Sequence, residues 1–177
     1  MISTAVRSTG TTDATAKALE VALRYLGLPH EWHAATPPLD TAVVQIAFEG
    51  EVLHAIPRGT RLRLILPVTL SPDARTALTS RSPEILKVLW SVRLEALVGR
   101  SSCTLVHEDD KDPFTLRQMH VFQQVIVRDR DFGSYQRVLD ALQELVVVGT
   151  RVRFALAGID ASVPGADATF ADDAMFH

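Results

Sequence analysis

The sequence predicts an α+β domain, an antiparallel sheet packed against helices, with elements in the order α-β-β-β-α-β-β-α. Three observations predict it. Ser82–Val98 (SPEILKVLWSVRLEALV) carries helix start and stop signals around an unusually apolar surface. Residues 41–68 hold three β-rich runs separated by turn residues, and 101–127 hold two more. A long helical pattern then follows from about Asp131.

The central helix organises the rest. Ser82 is a ready N-cap, Pro83 suits the first turn, and Gly99 stops the helix. At 100° per residue, Ile85, Leu86, Val88, Leu89, Val92 and Ala96 cover one side, and Trp90, Leu94 and Leu97 carry apolar surface onward past Arg93. That arc is roughly 240°, against the ~100° a helix needs to cover one core. Two arrangements account for it: a helix sandwiched within its own domain, or one with one face on a sheet and the other on a second subunit. The second makes Ile85, Leu86, Leu89, Trp90, Arg93 and Leu97 the expected dimer interface.

Before it, residues 1–12 read as a flexible N-terminus. Thr12 or Asp13 caps a helix running to Leu26, with Leu19, Ala22, Leu23 and Leu26 on its buried face, ended by Gly27 and Pro29. Leu28–Asp40 reads as a connector because Pro37-Pro38 forbids regular structure. Thr41–Phe48, Glu51–Ile56 and Thr60–Val68 form a three-stranded meander, turning at Glu49-Gly50 and at Pro57-Arg58-Gly59. In the third strand Leu62, Leu64 and Leu66 alternate with Arg61 and Arg63, the period of a half-buried strand. SPDARTALTSR leads, as short helix or loop, into the central helix.

After it, Ser101–His107 is a strand, HEDDKDP a polar turn, and Phe114–Val127 a longer strand whose alternation shifts phase near Gln118, the mark of a bulge or bend. Asp129 or Asp131 caps the last helix, which Gly149 weakens by up to ~1 kcal/mol. The single domain therefore spans 13–157. Residues 158–177, with four Asp and no Lys or Arg, form a mobile acidic tail.

Composition narrows the function classes. At 47% hydrophobic and 22% charged residues the chain has a globular profile, and no apolar run approaches the ~20 residues of a membrane span. The N-terminus lacks the apolar run of a signal peptide, so the expected location is cytoplasmic. A net charge of −3 gives no overall nucleic-acid footprint. Residues 49–100 nonetheless carry eight basic against five acidic groups: Arg58, Arg61, Arg63, Arg75, Arg81, Lys87, Arg93 and Arg100. Arg58, Arg61 and Arg63 are the candidates for meeting phosphates or an acidic partner, although no aromatic residue stands next to them in sequence to support stacking. A solvated strand face explains the same pattern.

The signals for chemistry are sparse. His107–Asp112 (HEDDKD) offers Asp109, Asp110 and Asp112 but lacks the spacing and glycine of a calcium loop, and reads as a hairpin tip. His30 and His33 lie in a proline-flanked loop with Trp32, without a third zinc ligand nearby. Cys103, the sole cysteine, excludes an intramolecular disulfide; as a nucleophile it would need His107 or His120 as base, and a strand offers it no activating turn. His54 and His120 read as strand residues. No phosphate-binding glycine loop, HExxH or GxSxG occurs, so a non-catalytic protein without cofactor or metal is expected.

The element order, with LEVALRYLGL, the meander AVVQIAFEGEVLHAIPRGTRLRLILPV, the helix EILKVLWSVRLEAL and the block from Ser102 to Leu156, resembles the type III secretion chaperone-like fold and, within it, the YbjN family of bacterial proteins. The acidic tail, and Gly99-Arg100-Ser101-Ser102 in place of a small polar motif, depart from that family's pattern. The resemblance implies homodimers whose contact includes the central helix. It also implies an adaptor or chaperone-like role, binding another protein by strand addition or apolar pockets in a stress-response setting such as DNA damage. The expected alternative is a weak nucleic-acid-binding protein using the basic strand face.

Overall fold

A computed structural model describes residues 5–35, 41–80, 82–107 and 116–160. The elements are α1 (Ala5–Tyr25), β1 (His30–His33), β2 (Val43–Phe48), β3 (Glu51–Arg58), β4 (Arg61–Thr69), α2 (Pro72–Ser80), α3 (Pro83–Val98), β5 (Ser102–His107), β6 (Leu116–Val125) and α4 (Phe132–Asp160). The α+β class holds. The order has one more strand and one more helix than the pattern predicts.

All six strands pair antiparallel in one sheet ordered β1-β2-β3-β4-β6-β5. The first four form a meander. After β4 the chain leaves through α2 and α3, returns at the far edge as β5, and comes back between β4 and β5 as β6. Glu49 and Gly50 turn β2 into β3 with both φ positive, at 50° and 79°, which matches the right-handed strand twist. Beyond Ala55, strand β2 offers β3 no further partner, so Pro57 extends β3 where its missing N–H leaves no ladder bond unmade. The expected turn at Pro57 therefore moves to Gly59-Thr60. The phase shift near Gln118 is a register irregularity: Val106 faces Gln118 while His107 faces Leu116.

The helices lie on one face of the sheet. Leu62, Leu64, Leu66 and Val68 of β4 meet Val44, Ile46, Leu53, Ala55, Met119 and Val121 from the neighbouring strands. Leu19, Ala22 and Leu23 of α1 and Val138, Leu142, Leu145, Val148 and Val152 of α4 close this core. Every one of these side chains is buried.

Helix α1 starts at Ala5 rather than near Asp13, taking in most of the segment expected to be loose. Thr12 is inside it: its hydroxyl accepts a bond from Gly59 N at 3.1 Å, and Thr15 donates to Gly59 O at 2.6 Å. This docking on the β3–β4 turn outweighs the poor helix propensity of the Thr- and Gly-rich start. The end is as expected. Gly27 sits at φ +67° and Leu28 N returns to Leu23 O at 2.9 Å, a Schellman stop.

Strand β1 corrects the reading of PHEWH as a loop. Its four residues pair with Val43–Ile46, which directs His30 and Trp32 to the helix side and His33 to the opposite side. Glu20 of α1 holds the strand down. Its carboxylate accepts from Trp32 Nε1 at 2.5 Å, His30 Nε2 at 3.0 Å and Arg24 Nε at 2.6 Å. The Trp32 bond above all, aided by His30 and Arg24 against a burial cost, lowers the Glu20 pKa below the ordinary carboxylate value. A depressed carboxylate stabilises most above its unfolded pKa, and the gain is lost as pH falls through the folded value. We therefore expect Glu20→Gln to loosen β1 at neutral pH by about 1 kcal/mol, given its partial exposure. Hydrogen exchange at residues 30–33 should speed up severalfold, and the difference from wild type should shrink in acid. Unchanged exchange at neutral pH would show that pairing with β2 alone holds the strand.

Helices α3 and α4 begin as the sequence predicts. Ser82 Oγ accepts from Ile85 N at 3.3 Å, and Asp131 Oδ1 from Ser134 N at 3.1 Å. The aromatic rings of Tyr25, Phe132 and Tyr135, with centroids 5.0 to 5.7 Å apart, join the end of α1 to the start of α4. Helix α4 continues to Asp160, past the expected end of the domain. The rest of the acidic tail and Glu108–Phe114 lie outside the described residues.

Candidate functional site

Two surfaces stand out, on opposite sides of the sheet. The first is the outer face of α3. Ile85, Val92 and Ala96 are buried in the chain's own core, with Val88 and Leu89 packed against it. Leu86, Trp90, Leu94 and Leu97 point the other way, at the i, i+4, i+8, i+11 spacing of an apolar helix stripe. They are 46%, 64%, 54% and 70% exposed. Helix α3 thus has a core face and a second apolar face without a cover among the described residues. Of the six expected interface residues, Leu86, Trp90, Arg93 and Leu97 lie on exposed surface. Ile85 is a core residue and leaves the set, and Leu89 sits on the boundary. The reason is angular: Ile85 falls in line with Val92 and Ala96, the three positions that turn into the chain's own core.

The C-terminal end of α3 is fixed by contacts that sequence reading missed. Gln123 of β6, buried on the helix side, directs Nε2 at Gly99 O (2.9 Å), Ser101 Oγ (3.0 Å) and Glu144 Oε2 of α4 (2.9 Å). Arg151 of α4 reaches Glu95 at 3.3 Å. A hollow of about 500 Å³ lies beside this junction, lined by Val98, Asp140, Gln143, Val147 and Arg151 among others. It brings together no cluster of nucleophile and base. The signal in the sequence was slight: a glutamine at an inward position of a strand otherwise apolar on that side.

The second surface is the sheet face turned away from the helices. The register places Arg58, Ile56 and His54 of β3 beside Arg61, Arg63 and Ile65 of β4, with Gln124, Phe122 and His120 of β6 next in line. Arg61 and Arg63 do share one face, as the alternation predicts, and Arg58, expected in a turn, joins them from the end of β3. Arg61 Nη1 donates to Gln124 Oε1 at 3.2 Å, and the Arg63 guanidinium lies 4.0 Å over the Phe122 ring. The arginines therefore have an aromatic neighbour after all, 59 residues away in sequence and one strand away in the sheet. Burial, with Arg58 nearby, lowers the Arg63 pKa, although a guanidinium stays charged through the physiological range. Burial is also the main cause lowering His54 and His120, aided by His33 for the first and by His54 and Arg63 for the second. Both imidazoles are therefore neutral at pH 7.

The remaining candidates separate. Cys103 faces the helix side, opposite Val121, while His120 faces the other side opposite Thr104. Cys103 has no base there, and burial raises its thiol pKa against the pull of Arg93. His107 lies four residues further along β5, about 13 Å at ~3.3 Å per residue. His30 and His33 leave opposite faces of β1, so they form no ligand pair. No group of three His, Cys, Asp or Glu that could hold a metal occurs among the described residues. Asp109, Asp110 and Asp112 lie outside them. No helix among the described residues is long and apolar enough to cross a membrane.

Four helices on one face of a six-stranded antiparallel sheet, with the other face clear of described helices, define a two-layer α+β protein. The same architecture occurs in the crystal structure of an uncharacterized protein from Methanothermobacter thermautotrophicus. The two match with a TM-score of 0.57 at 12% identity, over 81% of this chain and 97% of that one. At that identity the likeness is one of fold. No family model matches the chain, and no curated protein matches it.

Proposed function

We propose that this chain is a non-catalytic, homodimeric adaptor of the chaperone-like kind, whose subunits meet through the outer face of α3 and which binds another protein. The observation that supports it most directly is the stripe Leu86, Trp90, Leu94 and Leu97, exposed on the opposite side of a helix already anchored in its own core. Such a stripe is self-complementary across a two-fold axis, because an antiparallel copy of the same helix presents the same spacing in reverse. Burying the part of these four side chains that is still exposed favours association by about 1–2 kcal/mol each before the cost of docking. The YbjN-like reading, with its stress-response setting, rests on the resemblance alone and is part of the proposal.

Sedimentation equilibrium tests the dimer. Wild type is expected at twice the 19.4 kDa chain mass. Trp90→Glu should weaken the dimer by about 100-fold, since charge replaces a central aromatic anchor, while leaving the monomer folded because Trp90 is 64% exposed. A monomeric wild type at high protein concentration sinks the proposal. A dimer indifferent to both Trp90→Glu and Leu86→Glu moves the interface away from α3.

A further inference from the structure

We propose that the sheet face turned away from the helices is a binding surface for single-stranded nucleic acid, with Arg58 and Arg61 meeting phosphates and the Arg63–Phe122 pair offering a stacking plane to a base. It lies across the sheet from α3, so it is independent of the dimer and goes beyond the adaptor reading.

What marks this face is the gathering of three arginines on two paired strands. Arg24, Arg137, Arg151 and Arg153 each lie within 4.0 Å of a carboxylate. Arg58, Arg61 and Arg63 have no such partner among the described residues. Arg58 and Arg61 moreover stand directly opposite each other in the ladder, a like-charge pair that costs stability in the free protein. A phosphate between them converts that repulsion into two charge-assisted hydrogen bonds. Glu31, at the far edge strand, is the one carboxylate that strand alternation puts on this face among the described strands.

Charge alone would suit an acidic protein equally well; the rest of the surface favours a nucleic acid. The half-buried Arg63 guanidinium lies 4.0 Å over the Phe122 ring, and paired guanidinium and aromatic groups of this kind are what bases stack on in single-strand recognition. Around it stand Gln124 and two imidazoles that burial keeps neutral, groups that exchange hydrogen bonds with base edges. Gln124 already holds Arg61 in place from the next strand. An acidic peptide has no use for a stacking plane. Duplex DNA, read by an element projecting into a groove, finds none on this face.

The test is fluorescence anisotropy with labelled oligothymidylate of about 12 nucleotides, titrated at several salt concentrations. With Arg58 and Arg61 each meeting a phosphate, log K should fall against log[NaCl] with a slope of about −1.4, from ~0.7 per phosphate on a single strand. Arg58→Gln/Arg61→Gln should weaken binding at low salt by at least about tenfold and flatten the slope by about 1.4. Phe122→Leu should weaken binding by a similar factor with the slope unchanged, because it removes stacking and no ion contact. Absence of binding at about 25 mM NaCl overturns the proposal, as does a salt slope indifferent to the double arginine change. If polyglutamate competes as well as the oligonucleotide, and Phe122→Leu binds as wild type, the surface is one for an acidic protein and the proposal fails. The arginine double variant removes exposed charge and no core contact, so its result stands even if Phe122→Leu fails to fold.

Discussion

Replacing Gln123 by glutamate, nearly isosteric, is expected to cost about 3 kcal/mol at neutral pH, enough to remove a large part of a domain's stability. The amide Nε2 of Gln123 is the donor for three acceptors: a backbone carbonyl, a hydroxyl and the Glu144 carboxylate. Glutamate turns that donor, buried at position 123, into an anion facing the half-buried Glu144 carboxylate. The sign with pH follows. The new carboxyl has a folded pKa above its unfolded value, so the penalty is full above the folded pKa and fades as pH falls to the unfolded one. In acid one proton shared by the two carboxylates restores a donor. Urea melts at pH 7 and pH 4.5 should therefore show a difference from wild type that is much larger at pH 7. Gln123→Leu, which leaves the acceptors without a donor, should destabilise by about 1–3 kcal/mol at both pH values. A Gln123→Glu variant as stable as wild type at pH 7 would mean the three acceptors are served by water.

The second large effect is at Gly149. A helix-interior glycine reads as a weakness to be improved, worth up to ~1 kcal/mol on substitution by alanine. Here the opposite is expected. A Cβ on Gly149 would come 2.2 Å from Leu66 Cδ2, in the middle of the core where α4 crosses β4. Gly149→Ala should cost about 1–3 kcal/mol net, lowering Tm by several degrees. Gly158 is the internal control. It lies in the same helix with nothing within 4 Å of the position a Cβ would take, so Gly158→Ala should be neutral or stabilising. Leu66→Ala should itself cost about 2–5 kcal/mol, and adding Gly149→Ala to it should cost nothing further, because the methyl then fills part of the cavity. Additive costs in the double variant would place the strain elsewhere.

These effects mark where the sequence is legible and where it is not. Helix ends, tight turns and the bulge near Gln118 are local events. Ser82, Gly99, Glu49-Gly50 and Asp131 act on backbone groups within a few residues of themselves, so their types alone foretell them. Strand β1 was not legible, because four residues reading HEWH become a strand only through Glu20 and the ladder to β2. The start of α1 was missed for the same reason, since its anchors lie on Gly59, 44 and 47 residues away.

For the candidate site the division is similar. The apolar circumference of α3 was written in its period, as was the common face of Arg61 and Arg63. The chain by itself determined the α+β class, the caps, and that α3 carries more apolar surface than one core can cover. Tertiary structure alone decided that β6 lies between β4 and β5, which sets Phe122 under Arg63 and Gln123 against Glu144. It also decided that Ile85 belongs to the core and Trp90 to the surface, and that Gly149 must stay small. Periodicity says which residues share a face. Which element that face meets depends on pairings that close long loops, and no single segment carries that information.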